Sequence, residues 1–136
     1  MADKVEFELV SPERLLLSRA VEMVVVPGAE GDFGVLPGHA PLISTVRPGI
    51  IEVHDDGKVT DRIFVAGGFA EVNPQRCTVL AEVALPVAEI DRAKVEAELK
   101  DLGDDLAAAK TDDDREAVQA KITIAEGKLQ AVATVH

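Results

Sequence analysis

The stretch CTVLAEVALPVAEIDRAKVEAELKDL, residues 77–102, changes its hydrophobic period in the middle. Cys77 to Val83 is a short apolar run rich in β-branched side chains, the composition of a strand. Beyond Pro86, Val95, Leu99, Leu102 and Leu106 recur at i, i+4, i+7 and i+11, the spacing of one helix face. All seven prolines and eight of the ten glycines lie at or before Pro86, while the last fifty residues hold only Gly103 and Gly127. So abrupt a shift in composition marks a boundary at Pro86, giving a strand-rich region over 1–86 and a helical region over 87–136.

Upstream of the boundary, VEFELV (5–10) places Val5, Phe7 and Leu9 on one face and Glu6 and Glu8 on the other, as in a half-buried strand. Similar blocks occur at 23–26, 42–46, 50–53, 62–65 and 77–83. Pro27-Gly28, Pro48-Gly49, Asp56-Gly57, Gly67-Gly68 and Asn73-Pro74 read as the turns between them. Many short strands with this punctuation indicate an antiparallel sandwich or barrel. Downstream, Val118, Ile122, Ala125, Leu129 and Val132 repeat the helical period of the first helix. The polar AKTDDDRE between the two helices offers Thr111 as an N-cap, with Asp112 to Asp114 where the helix dipole favours acids. The class predicted is α+β, an N-terminal antiparallel β-sandwich or barrel followed by a C-terminal antiparallel α-helical hairpin.

A formal net charge of −11 argues against nucleic acid and anionic lipid as partners, because both require a basic footprint. With no Trp or Tyr, the stacking platforms of single-strand binders are missing too. No run of about 18 apolar residues offers a membrane span, so no direct insertion is expected. MADKVEFELV is acidic where a leader would be basic, which leads us to expect no signal or transit peptide. Cys77 is the lone cysteine, expected as a small buried hydrophobe, and one cysteine builds neither an internal disulfide nor a cysteine metal site.

The segment GDFGVLPGHAPLISTVRPG, residues 31–49, concentrates four glycines, three prolines and His39. It lacks the lysine and the following helix of a phosphate loop. His39 with Ser44 and Asp32, or His54, or His136, would have to supply any catalytic set, and none has a nucleophile, base and orienter in its vicinity. The acid pairs Asp55-Asp56 and Asp104-Asp105 read as solvated surface. No intrinsic catalysis and no metal is expected.

The succession EGDFGVLPGHAPL (30–42), RPG (47–49), AGGFAEV (66–72) and CTVLAEVA (77–84), followed by a helical hairpin, closely resembles the epsilon subunit of bacterial F-type ATP synthases from about Val5 to Val132. Gly31, Gly34, Leu36, Pro37, Gly38, His39, Ala40 and Pro41 match the family's loop in sequence and spacing, and Gly67, Gly68, Phe69 and Glu71 match a second segment. The resemblance implies a sandwich at the foot of the central rotor stalk, against the gamma subunit and upon the c-ring. It further implies a non-catalytic subunit that couples the two in a proton-translocating synthase. Glu30, Asp32 and His39 are the implied ring and stalk contacts, with Asp32 at the position of an acid that meets the ring's arginine-bearing loops. His39 is expected to pack near the stalk.

By the same resemblance, the hairpin can lie folded or extend toward the alpha/beta catalytic head and restrain ATP hydrolysis. Some members bind ATP where the first helix begins. The matching run here carries Ile90 and Asp91, but Lys94 stands at the pattern's arginine and Val95 at its alanine, so any ATP binding is expected to be weak, with no other cofactor. The implied location is peripheral, on the cytoplasmic face of a bacterial inner membrane. Mitochondrial relatives called delta share the fold. The reading from residues alone leaves an alternative, a free-standing interaction module with a partner-binding hairpin.

Overall fold

The computed structural model describes residues 4–135 of the 136. His136 and the first three residues of the acidic N-terminus lie outside the described residues. The protein divides into two compact units, with the boundary between Pro86 and Val87.

The first unit contains eight strands, β1 (Val5–Val10), β2 (Leu15–Val21), β3 (Met23–Gly28), β4 (Gly31–Val35), β5 (Leu42–Thr45), β6 (Gly49–Asp55), β7 (Lys58–Val72) and β8 (Arg76–Pro86). They hydrogen-bond in the order β2-β1-β8-β7-β6-β3-β4, with β5 beside the second half of β7. The sheet folds over on itself as a sandwich, because the inward residues of β1 to β4 and of β6 to β8 all pack into one core. Val5, Phe7 and Leu9 enter it from β1, as their alternation requires, and Cys77, Val79 and Ala81 enter from β8. Burial pushes the Cys77 thiol up to about 12, so it stays protonated and unreactive at neutral pH.

Four features depart from the sequence reading. The β1–β8 pair is parallel, with Phe7 opposite Cys77, whereas the other described pairings are antiparallel. Only the return of the whole polypeptide brings these two strands together, so no local signal fixes their relative direction. Two strands went unread. In β4, Gly31 and Gly34 dilute the pattern, although Phe33 and Val35 face the core and Asp32 faces out. In β2, LLLSRAV has no strict alternation, because an edge strand is only partly covered.

Gly67-Gly68, expected as a turn, lies inside β7. Both glycines have positive φ, 74° and 93°, and the strand kinks there while its pairing with β8 keeps register. At the kink β7 exchanges one partner for another, pairing with β6 up to Val65 and with β5 from Phe69. A Cβ at Gly68 would lie 1.8 Å from Leu80 O, so only glycine fits. Asp56-Gly57 behaves as read, a two-residue hairpin loop with φ of 54° and 73°. Asn73 closes the β7–β8 turn, its Oδ1 accepting from the N–H groups of Gln75 and Arg76 at 2.9 and 2.8 Å.

The second unit begins with a 3-10 turn at Val87–Glu89 and continues as α1 (Arg92–Ala108) and α2 (Asp112–Val135). Asp91 caps α1, accepting from Lys94 N at 3.2 Å. Thr111 caps α2 as its position predicts, its Oγ1 accepting from Asp114 N at 3.1 Å. Arg115 fastens the short connection from within, donating to Ala109 O at 3.3 Å and to Asp112 Oδ1 at 2.8 Å. The seam between the helices buries Val95, Leu102 and Ala125, with Ile90, Leu99, Val118, Ile122 and Leu129 partly covered. None of the described helices is long and apolar enough to cross a membrane.

Candidate functional site

The glycine- and proline-rich segment that stood out in the sequence folds around the β3–β4 hairpin. Its turn consists of Ala29 and Glu30, set between the paired Gly28 and Gly31, and Asp32 follows on β4. The backbone leaving β5 props this turn. Ala29 N donates to Thr45 O at 3.0 Å, Gly28 bridges to Val46, and Arg47 N donates to Pro27 O at 3.0 Å. Glu30 is exposed. Asp32 points outward but is not solitary, since Arg47 Nη2 donates to its Oδ1. An open hollow of about 510 Å³ joins Glu30, Asp32 and Phe33 to Leu42, Ile43 and Ser44 of β5.

His39 does not line that hollow. It sits half-buried in the next loop, where its Nδ1 donates to Ala40 O at 2.7 Å and Gly38 N donates to Pro74 O at 2.8 Å. The loop is thereby tied to the β7–β8 turn. The structure thus groups Glu30 with Asp32 and leaves His39 apart. No described polar or charged residue is fully buried, and the described residues hold no cluster of three or more metal-ligating side chains.

One set of candidate residues was absent from the sequence reading. On the outward side of the sheet, Thr45 lies opposite Phe69, Phe69 opposite Leu80, and Leu80 opposite Val10, in one row across four strands. Ile43 stands beside the row, opposite Glu71. Ile43 is 72% exposed, Phe69 42% and Leu80 41%. Large apolar side chains grouped on an outward face commonly mark a protein contact. Val10, Phe69 and Leu80 of the row, with Pro12, Gly68 and Glu82, line a groove of about 390 Å³. Parity carries the signal that could have found them: Ala70, Val72, Val79 and Ala81 point inward, so Phe69 and Leu80 must point out.

At the other candidate site, the start of α1, the residues have structural duties. Ile90 packs into the hairpin seam, and the Asp91 carboxylate holds the helix N-terminus, where a phosphate would otherwise find free N–H groups. Lys94 is exposed in the first turn. Arg115, a base on the second helix, is spent on the connection between the helices.

Residues 4–87 match the family model for the beta-sandwich domain of the ATP synthase delta/epsilon chain, and residues 91–136 match that for the C-terminal domain of the ATP synthase epsilon chain. The ATP synthase epsilon chain of Paramagnetospirillum magneticum is 56% identical over 133 residues, covering 98% of this chain and 100% of the relative. That of Rhodospirillum rubrum is 58% identical over 132 residues, covering 96% and 98%. Among solved structures, a polypeptide of the Euglena gracilis mitochondrial ATP synthase superposes with a TM-score of 0.77 at 26% identity, over 98% of this chain and 82% of that one. A polypeptide of the Tetrahymena thermophila mitochondrial ATP synthase central stalk and c-ring shares the fold, with a TM-score of 0.62 at 14% identity over 97% and 96%. The chain belongs to the ATP synthase epsilon family, a non-catalytic subunit of the central stalk of the F-type enzyme.

Proposed function

We propose that this subunit joins the gamma subunit to the c-ring, with the outward apolar face of Ile43, Phe69 and Leu80 against gamma and the turn of Glu30 and Asp32 toward the ring. The observation that carries this reading is continuity: Ile43 belongs both to the apolar face and to the hollow that holds Glu30 and Asp32. An apolar face gives adhesion, and an adjoining charged rim gives orientation and register. A rotor coupling needs both, since torque must pass without slip. The site of action is the cytoplasmic face of the bacterial inner membrane. The hairpin serves as an accessory restraint on hydrolysis, mild because twelve acids outnumber its seven basic residues and two of those, Arg92 and Arg115, are paired with Glu96 and Asp112.

Two variants separate the two contacts. Ile43→Glu with Phe69→Glu alters only outward side chains, so the subunit should fold yet lose copurification with gamma by about tenfold or more. Asp32→Asn removes a rim charge and should leave copurification intact while lowering ATP-driven proton pumping per ATP hydrolysed in reconstituted vesicles. Wild-type recovery of gamma with the first variant would remove the apolar face from the contact, and undiminished pumping with the second would remove Asp32.

A further inference from the structure

We infer that Arg47 is a positioning residue, clamping the acidic turn and setting the direction of the Asp32 carboxylate. The inference rests on the proposed contact of that turn with the ring. Arg47 holds the hairpin twice. Its backbone N–H donates to Pro27 O at 3.0 Å, near the end of β3, and its guanidinium donates to Asp32 Oδ1, one residue into β4. Pro27 and Asp32 are themselves opposite each other in the β3–β4 ladder, so a single residue spans both strands just below the turn. The Gly28–Val46 bridge and the Ala29 N to Thr45 O bond, further along toward the turn, hold the same register.

The packing leaves a place for this guanidinium. A Cβ at Gly49 would come within 2.8 Å of Pro27 Cβ and 3.2 Å of Arg47 Nη1, so the glycine of the RPG sequence is what lets the arginine lie against β3. Its charge also decides which acid is left over. Arg47 compensates Asp32, whereas Glu30 has no ion-pair partner among the described residues. The turn therefore presents one exposed acid–base pair and one uncompensated carboxylate. Such an arrangement has a defined orientation, which two mobile acids on a free loop would lack.

The test is a double-mutant cycle in the complete synthase, reconstituted in vesicles, with ATP-driven proton pumping per ATP hydrolysed as the readout. Arg47→Met is expected to lower the ratio about threefold, as loss of a rim charge contact does, and Arg47→Lys, which keeps the cation, should restore most of it. Because Arg47 acts through Asp32, Arg47→Met with Asp32→Asn should be no worse than Asp32→Asn alone. Thermal unfolding of each variant subunit accompanies the cycle, and midpoints within a few degrees of wild type are expected for an exposed pair. Normal pumping by Arg47→Met, equal losses in the methionine and lysine variants, additive losses in the double variant, or a pumping loss that merely tracks a collapsed midpoint would each overturn the assignment. If Asp32→Asn alone pumps normally, the ring contact fails, and the role of Arg47 fails with it. A loss with Asp32→Asn and none with Arg47→Met sinks the clamp only.

Discussion

Gly68 and Gly103 show how much context decides what a glycine contributes. Gly68 sits at a φ of 93° where β7 changes partners, and a Cβ there would meet Leu80 O at 1.8 Å and Leu80 C at 2.9 Å. Neither atom can yield, because both belong to the backbone of β8. Gly68→Ala should therefore destabilise the sandwich by about 2–3 kcal/mol or more, through strain and a parted ladder. Gly103 lies within α1, and nothing stands within 4 Å of the Cβ it lacks. Gly103→Ala should stabilise α1 by about 0.5–1 kcal/mol, the helix-propensity difference between the two residues. Denaturant unfolding of the two variants checks the opposite signs, and a stabilised Gly68→Ala would show that β7 has room to straighten. Both glycines were visible in the sequence. The cost of Gly103 inside a helix was legible as well, but the role of Gly68 was not, because GG is also a turn signal, and only the pairing of β7 with both β5 and β6 turns it into a kink.

At the level of elements, legibility followed how completely one face of each is buried. β1 could be read residue by residue, since Val5, Phe7 and Leu9 are buried and the glutamates between them are not. The hairpin was equally plain, down to Thr111 as cap. β2 and β4, the two ends of the sheet path, were missed because edges are covered on one side only and β4 spends two of its five positions on glycine. Of the site, Asp32 was reached through the family resemblance, and its pairing with Arg47 was not legible because it spans fifteen residues and depends on β5 lying beside the hairpin. The same distinction bears on the start of α1. Asp91 and Lys94 could be matched to a nucleotide motif by spacing, yet Asp91 is engaged as a cap and its charge opposes an incoming phosphate. Lys94 supplies a point charge in place of a planar fork. Titration of the subunit with ATP in a calorimeter should show no binding near ~10 μM, which would correspond to roughly 7 kcal/mol. A dissociation constant that tight would mean the capping carboxylate gives way and the hairpin site still operates.

The whole molecule is two units of unequal self-sufficiency. Seventeen of the described residues are buried in the sandwich core, drawn from seven strands and from Val46, so contacts distant in sequence close upon one another within residues 4–86. Among the described residues the seam of the hairpin buries three side chains, one of them alanine, and Val87, Ala131 and Val132 add two valines and another alanine to the buried residues of 87–136. Isolated helices are marginal in water unless such a seam stabilises them, and this one is thin against the entropy of ordering two helices of 17 and 24 residues. The α2 helix also opens on three successive aspartates, favourable at its N-terminus but mutually repulsive when unscreened. A fragment ending after Val87 should accordingly remain soluble and strand-rich, unfold cooperatively and still capture gamma, because Ile43, Phe69 and Leu80 all belong to the first unit. A peptide of residues 87–136 should be largely unstructured by circular dichroism and gain helix as salt screens its acids. Aggregation of the longer fragment would show that residues beyond 87 complete the sandwich. A stably helical peptide would show that the hairpin needs no partner to fold, and would remove the physical basis for treating it as a movable restraint.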